Sequence, residues 1–197
     1  MKTTTAQPTR PASVPIAARR SPGATVVVVV AAAVVAAVIA VRLAPLGIVV
    51  VAALVPLARA ALVDAVERRL PDRLVLVAAV PAAVVCAADP FVGRLTAVGA
   101  VVAGALLLAL PLLTIHLIAP RAMGFGDVKA AASLGATLGL IRPELSLWTL
   151  CLASAVAASW GLLRRSRYVA FGPALVLGAV AVLVVGASTG LEVAAWR

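Results

Sequence analysis

Two aspartates stand out because each lies at one end of a long apolar run. Asp127 lies between glycines in the segment GFGDVK, residues 124–129, and Asp64 follows the apolar run 45–63. We expect Asp127 in the first turn of a helix, where unpaired N–H groups and the helix dipole favour negative charge. We expect Gly124 and Gly126 to allow backbone conformations that a side chain would forbid. A plain tight turn explains the local motif equally well.

Two carboxylates from separate helices, brought to one place, could hydrolyse a peptide bond. Close carboxylates cannot both ionise cheaply, so the pair shares a proton. The ionised one can take a proton from water while the protonated one polarises the scissile carbonyl. We therefore expect no cofactor and no metal. His116 lies in an apolar run and is better interpreted as a packed polar residue, and Cys86 and Cys151 lack CxxC spacing.

The composition indicates a membrane setting. The chain has 197 residues, of which 64% are hydrophobic, with 17 Lys and Arg against 7 Asp and Glu. A soluble domain is nearer half apolar, so we predict an all-α, polytopic helical bundle in contact with membrane lipids. The basic residues form short clusters between apolar runs and aromatic residues are few, which argues against a nucleic-acid partner.

The elements that must position the aspartates are apolar helices. Residues 1–23 are polar, Pro-rich and basic, which predicts a disordered cytoplasmic tail. A transmembrane domain over 24–187 and a short tail over 188–197 follow. A span needs about 20 residues, so two short runs must borrow flanking residues or lie inside protein, giving about seven helices, or six. The runs are 24–41, 45–63, 74–88, 95–119, 128–141, 145–163 and 169–187.

The basic residues set the orientation. With seven spans and the N-terminus inside, thirteen of the seventeen Lys and Arg residues fall on the inner side and four on the outer side. Positive residues concentrate in cytoplasmic loops, so this orientation is favoured. It predicts a multi-pass plasma-membrane protein with Asp64 and Asp127 at the cytoplasmic face. Ionisable groups at membrane depth are expensive, which makes these two the functional candidates.

Two further charged residues lie near them in the sequence. Asp72 follows Pro71 and is predicted to cap the next helix. Lys129 could tune the pKa of Asp127 or hold a carboxylate of a substrate. An interfacial lysine that extends its ammonium group to water is an equally good interpretation.

These motifs together resemble a known family. The segment 124–129 is similar to the GxGDxK motif of the type IV prepilin peptidases, which are membrane aspartyl proteases. Asp64, with the basic and Leu-Pro-Asp stretch 67–74, resembles their first catalytic aspartate and its flank. The Phe-Gly-Pro element at 171–173 also matches, and the order agrees. GxGD occurs in presenilin-like proteases too, but the Leu-Pro-Asp stretch favours the prepilin peptidases, with Asp72 a mild departure from the commoner Asn.

The resemblance implies an aspartyl endopeptidase that cuts the leader peptide of type IV prepilins or of secretion pseudopilins at the cytoplasmic face. Asp64 and Asp127 would be its catalytic pair, and Gly124 and Gly126 would let the backbone approach an extended substrate. Bifunctional members carry two CxxC pairs and also methylate the product. This chain has two cysteines in all, so it resembles the short members without a methyltransferase segment.

A different class of function also fits two membrane aspartates. A proton- or ion-coupled transporter could use them as a relay. Such proteins place their acids near the middle of the bilayer, on broken helices, whereas here both acids fall at a boundary. The sequence leaves open the particular substrate, the assignment of acid and base, and the oligomeric state.

Overall fold

The computed structural model describes residues 46–67, 71–92, 96–120, 123–164 and 171–188, which form six α-helices. The predicted run 24–41 and the tail 1–23 lie outside the described residues, as does nearly all of 188–197. The helices are α1 (Leu46–Glu67), α2 (Asp72–Val92), α3 (Thr96–Ile118), α4 (Phe125–Gly139), α5 (Glu144–Arg164) and α6 (Phe171–Ser188).

The all-α prediction is confirmed for the described residues, and each described helix overlaps most of one predicted apolar run. Three helices are long and apolar enough to cross a membrane, over Gly47–Asp64, Val98–Ile118 and Glu144–Leu163. The apolar part of α6, Phe171–Ala187, is shorter. Seven spans and a cytoplasmic N-terminus stay predictions.

The two short runs behave differently. The run in α2 borrows flanking residues, so that the helix reaches 21 residues. Helix α4 stays at 15 residues, and nine of them are buried. It contacts each of the other five described helices. A short helix therefore occupies the protein interior, where its length need not match a bilayer.

Small residues bring α4 close to α3. Gly135 and Gly139 are one turn apart on α4, and Gly104 of α3 packs against both. A methyl group added at Gly104 would lie 2.7 Å from the Cα of Gly139, which is closer than such atoms approach. Small residues four apart allow helix backbones to pack directly in this way. The contact fixes the axis of α4 and hence the position of its first turn.

The same end of the bundle collects the ends of five helices. The last turns of α1 and α3 lie there with the first turns of α2, α4 and α6. The pairs that establish this are Asp72 with Lys129, His116 with Met123, and Asp64 with Gly172. We call this the site end of the bundle.

Candidate active site

The structure brings both predicted aspartates to the site end. Asp64 lies in the last turn of α1 and is only 8% exposed. Asp127 lies in the first turn of α4, as predicted. The two are near enough for the charge on Asp64 to act on the ionisation of Asp127. Two carboxyl groups 63 positions apart in sequence are thus neighbours in the fold.

Asp64 faces the beginning of α6. The backbone of Gly172 is hydrogen-bonded to the Asp64 carboxylate. A methyl group at Gly172 would lie 3.1 Å from Oδ2 of Asp64 and 3.7 Å from the Cα of Ala61. A side chain at this position would therefore require the carboxylate to shift by a few tenths of an ångström.

Asp127 is held by the turn that precedes it. Its backbone N–H donates to the carbonyl of Gly124 at 3.1 Å, and its side chain accepts a hydrogen bond from the Gly124 backbone. Gly124 is the N-cap and Asp127 the third helical residue, so the carboxylate reaches back as in a capping box. The other oxygen, Oδ1, is buried and has no hydrogen-bond partner among the described residues.

Burial raises the pKa of Asp127 from 3.8 to about 6, and the nearby charge of Asp64 acts in the same direction. The hydrogen bond from the Gly124 backbone opposes both effects. Desolvation dominates because it penalises the ionised form, and no donor among the described residues reaches the buried Oδ1 to compensate. Asp127 therefore keeps its proton into the mildly acidic range, as a carboxyl that acts as an acid requires.

The conformational role predicted for the glycines is wrong. Gly124 has φ −72° and ψ 144°, an extended conformation open to any residue. Gly126 lies inside α4, in regular helix. A methyl group at Gly124 would meet Oδ2 of Asp127 at 3.8 Å, an ordinary contact. Glycine at position 124 is therefore required neither by backbone strain nor by packing within the described residues.

Lys129 forms its ion pair with Asp72, and no ion pair joins it to Asp127 among the described residues. Its Nζ lies 3.0 Å from Oδ1 of Asp72 and 5.3 Å from the centre of the Phe125 ring. The predicted capping role of Asp72 is also wrong, because the carbonyl of Pro71 accepts the first helical hydrogen bond, from Leu74 at 3.0 Å. Pro71 is the N-cap, and Asp72 is free to bridge α2 and α4.

His116 anchors the turn before α4, a role that its type alone did not reveal. Its Nδ1 lies 2.8 Å from the carbonyl oxygen of Met123, and its ring lies 5.4 Å from the ring of Phe125. Since a carbonyl only accepts, Nδ1 carries the proton of this bond. The prediction of a packed polar residue is confirmed, and its partner is the turn that carries Asp127.

Residues 48–162 match the family model described as the type IV leader peptidase family, over more than half of the chain. The chain belongs to the type IV leader peptidase family. Among curated proteins and solved structures, no significant match to the chain was found. The matched region runs from α1 into α5, so it contains both aspartates of the site.

Membership in the leader peptidase family implies a protease, and the apolar helices agree with one that works in a membrane. Gly172 lies beyond the matched region. The sequence marked Gly172 only as part of the Phe-Gly-Pro element. Nothing in that element indicates a contact with Asp64, which lies more than 100 positions earlier.

Proposed function

We propose that this leader peptidase is an aspartic endopeptidase that removes the leader peptide of type IV prepilins or pseudopilins. The observation that carries the proposal is the proximity of Asp64 and Asp127, whose carboxyl groups are at least partly buried and interact electrostatically. The family supports a leader-peptide substrate in general. The pair supplies a mechanism for cutting it.

The reaction needs only the pair and water. The ionised carboxylate takes a proton from a water molecule, whose oxygen attacks the scissile carbonyl carbon. The protonated carboxyl donates its hydrogen bond to the carbonyl oxygen and stabilises the charge that develops there. When the tetrahedral intermediate collapses, the C–N bond breaks and the leaving amine takes up a proton from the pair. Each turnover returns the pair to its starting state of one shared proton.

The substrate would approach along the start of α4, where Gly124, Gly126 and Lys129 lie. Gly124 is exposed and carries no side chain, so an extended peptide could lie against its backbone. Phe125 beside it is 50% exposed. In the proposed orientation this end faces the cytoplasm, and the apolar outer surfaces of the helices face lipid.

Co-expression with candidate prepilins tests the proposal directly. We expect a shortened product whose mass equals the mature chain without an added methyl group. The control is the double variant Asp64→Asn/Asp127→Asn, which should leave the precursor intact. Intact precursor in the presence of the unaltered protein, across pilins and pseudopilins alike, would contradict the proposal and favour a relay function for the aspartates.

A further inference from the structure

The two aspartates of the site have different surroundings, although both lie at helix ends. Asp64 receives a hydrogen bond from a different helix, through the backbone of Gly172 in the first turn of α6. Within the described part of the chain, Asp127 receives one from the turn of its own helix, at Gly124. The difference bears on which carboxyl carries the shared proton.

The hydrogen bond from Gly172 favours an ionised Asp64 and opposes burial, which acts more strongly and favours the neutral form. The helix dipole does not separate the two carboxyl groups, because Asp127 itself lies in the first turn of α4. Backbone N–H groups in the first turn of α6 lack partners within that helix. Gly172 lets such a group lie close to Asp64. A methyl group at this position would already be 3.1 Å from Oδ2, so a side chain would crowd the carboxylate. A hydrogen bond to an ionised acceptor is stronger than one to a neutral acceptor.

Asp127 is also at least partly buried, but among the described residues it has no donor from a second helix. Its Oδ1 is buried without a partner among the described residues, which is costly for an ionised oxygen. A proton on this carboxyl removes the charge and provides a donor for a substrate carbonyl. The rise of the Asp127 pKa to about 6 agrees with this.

We propose that Gly172 is a positioning residue that holds Asp64 as the ionised base, which leaves Asp127 as the acid. The assignment rests on the proposed function for its catalytic meaning, but the location of the proton can be measured without it. In this scheme Asp64 takes the proton from water, and Asp127 donates its hydrogen bond to the scissile carbonyl.

Among the residues that the structure describes, the other charged groups at the site end do not compete for this role. Lys129 and Asp72 pair with each other, and Nδ1 of His116 donates to Met123. The exposed Arg73 lies in the first turn of α2 beside Asp72. Among the described residues, Asp64 has a donor from a second helix, at Gly172, whereas Oδ1 of Asp127 has no partner.

The first test compares Gly172→Ala with Gly99→Ala. The added methyl group at 172 displaces the Asp64 carboxylate, whereas at Gly99 no described atom lies within 4 Å. We expect kcat for Gly172→Ala to fall by at least about tenfold, within the range of about 10²–10⁴ that acid–base catalysis provides. KM should be unchanged and Gly99→Ala should match the unaltered protein. An unchanged kcat, or a loss entirely in KM, would overturn the positioning role.

The second test needs no substrate and no change at Gly172. Infrared difference spectra of the purified protein should contain the C=O band of a protonated carboxylic acid that titrates near pH 6. The band should vanish in Asp127→Asn. In Asp64→Asn it should remain but titrate at lower pH, because the neighbouring charge has gone. A band that vanishes in Asp64→Asn and persists in Asp127→Asn would reverse the assignment.

The two tests separate the inference from the proposed function. If no prepilin is cut but the band follows Asp127, the proton assignment holds and the proposed substrate is wrong. If prepilin is cut but the band follows Asp64, the peptidase function is supported and the assignment of Asp127 as the protonated acid is wrong. If Gly172→Ala does not fold, the infrared result alone decides which carboxyl holds the proton.

Discussion

Nζ of Lys129 lies 3.0 Å from Oδ1 of Asp72, which ties the start of α4 to the start of α2. The two side chains are 43% and 71% exposed. Lys129 also lies over the ring of Phe125, which in turn contacts His116. The lysine of the GFGDVK segment therefore aligns helices at the site end and lies outside the aspartate pair.

Loss of this ion pair should have a small effect. Exposed pairs are worth about 0.2–1 kcal/mol, so Lys129→Met and Asp72→Asn should each lower the free energy of unfolding by less than about 1 kcal/mol. The double variant should lose no more than the larger single loss, because either change breaks the same pair. Both single variants should keep most of their prepilin cleavage. Severe loss of cleavage in Lys129→Met alone would indicate direct contact with substrate.

Loss of either aspartate should abolish cleavage. Asn has nearly the shape of Asp but can neither take nor give the proton, so Asp64→Asn and Asp127→Asn should each be inactive while folded. Residues that act as one unit give non-additive losses, so each single variant should be almost as inactive as the double. Glu should serve poorly at either position because it displaces the carboxyl group. Rates of leader removal in membranes measure this, and near-normal cutting by Asp64→Asn would refute the pair.

The raised pKa of Asp127 should appear in the stability of the protein. A carboxyl whose pKa is higher in the folded state favours folding at low pH, and this contribution is lost as the pH rises through the folded pKa. The unaltered protein should therefore lose stability relative to Asp127→Asn between about pH 4 and pH 6. A rise from 3.8 to about 6 corresponds to about 3 kcal/mol. Thermal unfolding in detergent across this range measures it, and a difference that does not vary with pH would contradict it.

The glycine contact between α3 and α4 should be intolerant of a methyl group. Ala at position 135 would place its Cβ 3.0 Å from the Cα of Ala105, and backbone cannot move aside as a flexible side chain can. Overpacking costs about 1–3 kcal/mol, so Gly135→Ala should unfold at lower temperature. Gly99→Ala is the matched control in the same bundle. It should be neutral or stabilising, because Ala is the better helix former. Equal unfolding temperatures for the two variants would show that the contact is looser than described.

The orientation can be tested from outside the cell. After Cys86 and Cys151 are replaced, a single cysteine at Glu144, at the start of α5, should react with an impermeant thiol reagent in intact cells. A cysteine at Arg73, at the start of α2, should react only after lysis. The reverse pattern would place the site end outside and exclude cytoplasmic cleavage.

Apolar runs predicted the helices well because a helix in lipid must pair its backbone N–H and C=O groups internally. Such a helix can be recognised in sequence by its length and apolar composition. The site aspartates were predictable for a related reason, since an acid beside an apolar run is unusual. The roles of Lys129 and Asp72 were not predictable, because their pairing joins positions 57 residues apart. The conformational role of Gly124 was predicted wrongly because glycine suggests an unusual φ, whereas the φ of Gly124 is an ordinary −72°.

The position of both aspartates near helix ends has a consequence for the supply of water. Asp127 is the third residue of α4 and Asp64 is the fourth from the end of α1, so each lies within one turn, about 5 Å, of the end of its helix. Hydrolysis consumes one water molecule per bond, and the two carboxyl groups that would activate it lie close to the helix ends. With the pair this close to the helix ends, water would need no channel along the length of the bundle.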